Sequence, residues 1–397
     1  MIGRIAKTVA ATVIVVFFVC VAAVNLALAA DTVRICSYNV LNYGAGNDDG
    51  RMPMYKSIVQ AIKPDVLLCC EVVDNTLGPQ FVSQVFTWAS FAATPFIDGP
   101  DSDNQVFYNQ DKFNYIKSSV IATELRNILE VWLEHKPDPG QSPDTLVCYV
   151  THLKASNDVD DSLQRHREVL KLQASVASAN YLVCAGDFNF YGPGEPGYQA
   201  LVNPASGRMF KDPLGTNWVR NTAASALIYT QCTRANNIPG CGGGVTGGMD
   251  DRFDFMFMSA PLHQRIIPGS YTAFGNDGLN RLNSSINAPT NTLVSEEIAN
   301  ALQCASDHLP VFADVILGDV RAGVSEDHDA LLNARYVNGT IYVSNCKPQQ
   351  QVTITNVQGR VVYSGTTIAT ETTIHLPNLA AGTYYVQTEY SRAVFVR

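Results

Sequence analysis

Tyr181-Leu182-Val183-Cys184-Ala185-Gly186-Asp187-Phe188-Asn189-Phe190 carries an apolar, strand-like run through a glycine into a carboxylate and a carboxamide. With Gly186 free to bend, the run reads as a buried strand whose carboxyl end presents Asp187 and Asn189 side by side. In an open α/β sheet ligands bind outside the carboxyl ends of strands, so polar groups placed there point to a site. The competing reading is a plain turn, because Asp and Asn readily bond their own backbone. The other strands of the chain bear on the choice.

Upstream, Val33-Arg34-Ile35-Cys36-Ser37-Tyr38-Asn39-Val40-Leu41-Asn42 is a strand ending in carboxamides before a Gly- and Asp-rich loop over 44–50. A helical segment over 53–62 leads to Asp65-Val66-Leu67-Leu68-Cys69-Cys70-Glu71, an apolar strand that ends in a lone carboxylate. Carboxylate and amide oxygens are the ligands Mg²⁺ takes, so Asn39 and Glu71 are candidate metal ligands; a solvated strand-end Glu is the bland alternative. Leu146-Val147-Cys148-Tyr149-Val150-Thr151-His152-Leu153-Lys154 is a third buried-type strand. Its His152 is placed to donate to a phosphoryl oxygen or a leaving group.

Between these runs the pattern predicts a helix over 76–88 and strands over 105–108 and 113–121. Leu125 to Trp132 alternates toward a strand, with Arg126 at its start able to face a phosphate, and 137–143 reads as a hairpin tip. A helix over 157–178 opens with acids in its first turn. Leu163, Val169, Leu170, Val176 and Ala177 form its apolar stripe, and Arg165, His166 and Arg167 its solvated face. Beyond Phe190, residues 211–248 show little periodicity and end in Gly242-Gly243-Gly244-Val245-Thr246-Gly247-Gly248. That run lacks the Lys-Ser/Thr of a nucleotide-binding loop and reads as a flexible surface loop beside the site. In Arg252 to Ser259 a single acid, Asp254, sits inside an apolar strand, where a carboxylate needs a partner. Ser306-Asp307-His308-Leu309-Pro310 then leads into a closing strand, Val311 to Val315.

At 397 residues the chain suggests one large domain plus a smaller module. The net charge of −9 argues against a broad basic surface for nucleic acid. A phosphate substrate remains open, since a bound divalent cation can supply local positive charge. Arg4 and Lys7, the apolar run Val9 to Val24 and Ala27-Leu28-Ala29-Ala30 follow the order of a secretory signal peptide over 1–30, with an uncleaved anchor as the alternative. Cys36, Cys69, Cys70, Cys148 and Cys184 lie in strand-like runs, where a free Cys is usually a small buried hydrophobe. Cys232 and Cys241 flank a polar loop and could pair, leaving Cys304 and Cys346; none has metal-ligand spacing.

In order, Asn39, Glu71, His152, Asp187 with Asn189, Asp254, and Asp307 with His308 form a series that resembles the endonuclease/exonuclease/phosphatase superfamily, of which DNase I is one member. The resemblance covers 31–318 and implies a four-layer α/β sandwich, two central β-sheets flanked by helices, with metal-dependent cleavage of phosphate esters. It implies Glu71 as principal Mg²⁺ ligand with Asn39 nearby and Asp307 on the metal side, Mn²⁺ or Ca²⁺ being the alternative ions. It further implies His308 as general base held by Asp254, Asp187 and Asn189 orienting water and phosphate, and His152 as a phosphate-contacting or acid histidine. Arg126 is a substrate-binding candidate. One departure is Cys70 before Glu71, where many relatives carry Gln.

After a polar linker over 319–330, short alternating strands with Asn-Gly and Gln-Gly turns predict a small all-β sandwich over 331–397. Its strands fall at 341–343, 351–357, 360–363, 372–376 and 383–388. Asn356 to Val362, Leu379 to Val386 and the basic last residue Arg397 resemble the C-terminal sorting domain of type IX secretion; a carbohydrate-binding or adhesion module is the rival. The expectation is a secreted or outer-membrane-surface phosphodiesterase, most simply an endonuclease or exonuclease acting on DNA or RNA. It would be monomeric, with no transmembrane helix in the mature chain, and its partner would be the type IX secretion machinery. The alternatives are a sphingomyelinase-like or inositol-phosphate phosphatase, or a non-catalytic protein that keeps the fold.

Overall fold

The computed structural model describes residues 31–44, 50–137, 142–278, 281–318 and, with short breaks, 332–396. The expected signal peptide, the linker, and parts of the loops at 44–50 and 137–143 lie outside the described residues. In chain order the elements are β1 (Asp31–Tyr43), α1 (Met52–Ile62), β2 (Val66–Val72), α2 (Leu77–Gln84), β3 (Phe91–Ala93), β4 (Asp103–Asn109), β5 (Phe113–Ile121) and β6 (Ile128–His135). There follow β7 (Thr145–His152), α3 (Val159–Ser175), β8 (Tyr181–Asp187), α4 (Pro196–Val202), β9 (Phe210–Lys211), a 3₁₀ turn (Ala223–Ile228), β10 (Asp254–Ser259), α5 (Ala260–His263), β11 (Thr272–Ala273), α6 (Glu296–Ala305) and β12 (Val311–Leu317).

Two six-stranded sheets result, in the orders β11-β12-β1-β2-β4-β3 and β5-β6-β7-β8-β10-β9. Strand alternation explains how they stack. Val33, Ile35, Leu68 and Val106 of the first sheet pack against Val131, Cys148, Val183 and Met256 of the second in one shared core. The opposite faces are covered separately: Tyr38, Leu67 and Phe107 lie against α1, α2 and α6, and Tyr149, Cys184 and Phe257 against α3 and α4. This is a four-layer α/β sandwich, with each central strand buried on both faces and so read as a continuous apolar run. Beyond it lie β13 (Asn333–Val337), β14 (Thr340–Ser344), β15 (Gln351–Asn356), β16 (Val361–Thr366), β17 (Glu371–His375), β18 (Thr383–Gln387) and β19 (Arg392–Val396). They form antiparallel sheets β13-β14-β17 and β16-β15-β18-β19 around Ile341, Val352, Ile354 and Val386. The first and last of these strands add to the set expected from alternation.

Several local expectations are corrected. Helix α2 stops at Gln84 rather than near 88, because Phe86 turns in to stack on Phe91 at 4.1 Å and Gln60 Nε2 donates to the Val85 carbonyl at 3.0 Å. Strand β6 begins at Ile128, since Thr123 Oγ1 donates to the Arg126 carbonyl and holds that residue in a turn. On α3, Leu163 and Leu170 face solvent, whereas Arg165 is fully buried. Its Nε and Nη2 donate to the two Glu195 oxygens at 3.0 Å each, and its Nη1 donates to the carbonyls of Lys154 and Ser156. A planar guanidinium with its donors taken can be buried where the hydrophobic pattern alone would leave it outside. Cys241 pairs with Cys304, not with Cys232: the Cα atoms of the bonded pair are 4.7 Å apart, a normal disulfide span, and Cys232 is a buried free thiol. The strand cysteines 36, 69, 70, 148 and 184 are free and buried.

Candidate active site

The pairing of strands brings one set of ends together. Parallel β1 and β2 set Asn39 beside Cys70, and parallel β7 and β8 set His152 beside Asp187. Antiparallel β10 starts at Asp254, directly opposite Asp187, and β12, antiparallel to β1, is entered through Asp307 and His308. Carboxyl ends of four parallel-paired strands and the starts of two antiparallel ones thus meet where the two sheets face each other.

The backbone is strained at the same place. Leu41, Asn42, Glu71 and Asn189 have φ of 46°, 49°, 58° and 52°. Non-glycine residues in this left-handed region cost about 1–3 kcal/mol each and gather at functional sites, because the surroundings must hold them. Gly186 has φ of 140°, and a Cβ there would fall 2.0 Å from the Thr151 carbonyl oxygen, so only glycine fits.

Glu71 and Asn39 interlock. Asn39 Nδ2 donates to Glu71 Oε1 at 2.8 Å and to Asp187 Oδ2 at 3.3 Å, while the Asn42 amide donates to Glu71 Oε2 at 3.1 Å. The Leu41 amide donates to Asn39 Oδ1 at 2.9 Å, which fixes the carboxamide orientation. Asn39 therefore turns its nitrogen, not its oxygen, to the carboxylates and acts here as a support for Glu71 rather than as an oxygen ligand. His152 Nε2 lies 3.7 Å from Glu71 Oε1 and 3.6 Å from Asp187 Oδ2, and its Nδ1 is buried without a partner. Ligand atoms of Glu71, His152 and Asp187 all fall within 4.8 Å of one another. Two carboxylate oxygens and an imidazole nitrogen converging in this way suit a divalent cation.

On the other side, His308 Nδ1 lies 2.7 Å from Asp254 Oδ2, and its Nε2 lies 3.6 Å from Asp187 Oδ2 and 2.6 Å from Gln231 Nε2. The Asp307 carboxylate accepts from the Val245 amide at 2.7 Å and from Gln231 at 3.4 Å. It stands outside the three-residue cluster. Asn189 donates from Nδ2 to the Leu153 carbonyl at 3.2 Å, and its backbone amide donates to Asp187 Oδ1. Ser306 Oγ donates to the Asn39 carbonyl and accepts from the His308 amide, tying the start of β12 to the end of β1.

Burial shapes the charges. Desolvation first, then the neighbouring Asp307, raises the Glu71 carboxyl. Desolvation, with the charges of Asp254 and Glu71 outweighing the help of His308, pushes Asp187 up to about 7. His152 is held well below its ordinary value by desolvation and by Arg126 and His308, so it is a neutral imidazole at pH 7. For His308 desolvation acts downward, but Asp254 and Asp187 together carry it well above its ordinary value. The Gln231 amide opposes them, because a donor at 2.6 Å needs a lone pair on Nε2, which only the neutral ring has. Which form prevails depends on whether Asp187 keeps its full charge.

These groups open on a cleft of about 560 Å³, whose walls include Ser156, Tyr191, Gln231, Gly244 to Gly247 and Asn283. Among the described residues lining it, Arg220 is the only lysine or arginine, and it is already paired with Asp251 and stacked over Tyr191. Arg126 does not line the cleft: it is tied to Asp101 at 2.7 Å and acts on Glu71 and His152 through its field. Gln231 and Arg220 carried no signal in the sequence. Both fall in the aperiodic stretch, and only the long-range contacts of the fold bring them to the cleft.

Residues 337–397 match the family model described as the secretion system C-terminal sorting domain. No curated protein matches the sequence. Among solved structures, the chain is similar to a truncated TDP2 from Caenorhabditis elegans, at 18% identity and TM-score 0.45 over 72% of this chain and 98% of that one. It is similar to the catalytic domain of human Nocturnin with a bound sulfate anion, at 18% identity and TM-score 0.44 over 71% and 93%. A third is an endonuclease/exonuclease/phosphatase family protein from Bacteroides thetaiotaomicron, at 14% identity and TM-score 0.47 over 73% and 99%. Among the described residues no helix is long and apolar enough to cross a membrane.

Proposed function

We propose that residues 31–318 form a divalent-metal-dependent phosphodiesterase that hydrolyses nucleic-acid phosphodiester bonds with a histidine-activated water. The observation that carries this reading is the meeting, in one cleft, of the Glu71, His152 and Asp187 ligand atoms with the buried Asp254–His308 pair. Glu71 and Asp187 would hold the cation, Mg²⁺ being the expected ion, with neutral His152 at its edge; Asn39 keeps Glu71 in place and Asp307 adds negative charge beside it. When bound, the cation supplies positive charge to the phosphate oxygens and offsets the crowded carboxylates. Asp187 engaged in that way would push less on His308. Asp254 then holds the proton on Nδ1, and Nε2 keeps the lone pair that a base needs. Asn189, anchored on the Leu153 carbonyl and on Asp187, orients the substrate at the mouth.

The C-terminal match supports export, and we place the sorting module at 331–397, with a cleaved leader at 1–30 and a monomer as the secreted form. The test is activity of purified protein on plasmid DNA, RNA, sphingomyelin and inositol phosphates, each with Mg²⁺ and with EDTA, beside His308→Ala. Cleavage of nucleic acid that needs metal and falls by on the order of 10²-fold or more in the variant is expected. Turnover of a lipid or inositol substrate alone would overturn the substrate assignment. Full activity of His308→Ala would overturn the mechanism.

A further inference from the structure

We propose that the Cys241–Cys304 disulfide is a positioning element of the active site, one that clamps the glycine-rich loop over Asp307 and makes turnover depend on an oxidised state. The inference rests on the phosphodiesterase reading for its kinetic consequence, though not for its structural one.

The bond joins two segments that each lead directly into the cleft. Cys304 lies in the last turn of α6, and Ser306-Asp307-His308 follow immediately. Cys241 opens the run Gly242-Gly243-Gly244-Val245, and Gly244 to Gly247 form one wall of the cleft. A few residues past the two sulfurs the segments meet again, where the Val245 amide donates to Asp307 Oδ2 at 2.7 Å. The covalent link and that hydrogen bond therefore close one small ring, with the glycines as its flexible side.

Glycine carries the largest backbone entropy of any residue, so three in succession cost the most to hold still. The fit is nonetheless tight. Gly242 and Gly244 have φ of +75° and +82°; a Cβ on the first would lie 2.6 Å from the Arg51 guanidinium carbon, and on the second 2.9 Å from Asp307 Oδ2. Apart from the disulfide, the loop's ends are held by Arg234, whose Nη1 donates to the Cys241 carbonyl at 2.8 Å and whose own carbonyl accepts from the Gly247 and Gly248 amides, and by two backbone bonds, Cys241 amide to Ile238 carbonyl and Cys232 amide to Gly248 carbonyl. Releasing the sulfurs would free the glycines and leave Asp307, already crowded by Glu71, without a firm donor. Because Cys304 is partly exposed, a soluble thiol can reach the bond, while the free cysteines among the described residues are all buried. Export into an oxidising compartment would complete the site, and the same chain kept among cytosolic thiols would be poorly active.

The test uses the full chain in its oxidised form. A dithiol reductant converts the disulfide to two thiols and is itself closed to a cyclic disulfide, so the electrons balance. Turnover of bis(p-nitrophenyl) phosphate with Mn²⁺ is read before reduction, after it and after reoxidation, with circular dichroism as the folding control. Hydrogen exchange at residues 242–248 is followed in parallel. Reduction should lower kcat/KM on the order of 10-fold, raise the Mn²⁺ concentration for half activity, unprotect the Val245 amide, and be reversible. Cys304→Ser should match the reduced protein. Gly244→Ala, with the disulfide intact, should reproduce the loss by pushing on Asp307, and it decides the matter if the cysteine variant fails to fold. Unchanged kinetics and unchanged exchange in the reduced protein and in Gly244→Ala, with only thermal stability lowered, would overturn the proposal. If the oxidised protein hydrolyses no phosphate ester with any metal, the phosphodiesterase reading fails, and hydrogen exchange alone decides whether the disulfide holds the loop.

Discussion

Replacing Gly186 with alanine tests the strand pairing that builds the site. Gly186 is the direct partner of Thr151 in the parallel ladder of β7 and β8, one step before His152 and Asp187. An added Cβ would sit 2.0 Å from the Thr151 carbonyl oxygen and 2.9 Å from its backbone carbon and nitrogen. Every one of these is a main-chain atom, so no rotamer change relieves the clash and the two strands must separate. Forcing an L-residue to φ of +140° costs about 1–3 kcal/mol, and overpacking a filled interior roughly another 1–3 kcal/mol. Together, roughly 2–6 kcal/mol is a large part of the 5–15 kcal/mol that typically stabilises a domain. Urea unfolding with EDTA present should move to a midpoint lower by about 1 M or more. Parting the strands also draws His152 Nε2 away from Asp187 Oδ2, now 3.6 Å apart, so more Mn²⁺ should be needed for half-maximal activity. Gly192→Ala, where an added Cβ meets nothing within 4 Å, is the matched control and should stay within about 0.5 kcal/mol. An unfolding midpoint and metal requirement for Gly186→Ala equal to those of this control would refute the strand register and the site built on it.

Metal affinity should depend on pH with a definite sign. Asp187 holds its proton up to about pH 7 and Glu71 is raised as well, so protons must leave before a cation enters; His152, kept neutral, adds no such step. Calorimetric titration with Mn²⁺ at several pH values should show affinity falling below pH 7 by about one decade per unit for each proton displaced, and a flat profile from pH 5 to 8 would contradict the assignment of Asp187 as a ligand. For processing, protein recovered from the native host's medium or outer-membrane fraction should lack residues 1–30 and most of 331–397 by intact mass. Full-length chain recovered from the cytoplasm would contradict that.

What the sequence revealed follows from what strands require. A central strand buried on both faces must be apolar along its length, so the polar residue that ends it stands out: Glu71, His152 and Asp187 were each visible this way, as was Asp254 at the start of β10. The runs themselves, alternating with helical ones, indicate an α/β fold; the four-layer arrangement followed from the resemblance that these strand-end residues carry, and the stacked sheets bear it out. Which oxygen or nitrogen of a side chain faces inward was not legible. Asn39 stood out as an amide at a strand end, but the Leu41 amide decides that its nitrogen faces Glu71, and that depends on a left-handed φ at Leu41.

The misjudged face of α3 shows where periodicity loses its hold. A hydrophobic stripe is a statement about transfer from water, and by that measure Leu163 and Leu170 belong inside and Arg165 outside. Transfer cost, however, belongs to a group without partners, and Arg165 meets Glu195, thirty positions along the chain, in a two-pronged contact with two backbone carbonyls completing its bonds. Those carbonyls belong to Lys154 and Ser156, in the turn that leaves His152, and Ser156 lines the cleft. The buried cation thus braces the far side of the strand end that carries His152, and the core position that a leucine would have filled is given to a residue that holds the cleft's loop. The departure from the hydrophobic pattern and the position of the site share one cause. Long-range polar pairing of this kind leaves no period in the sequence to read.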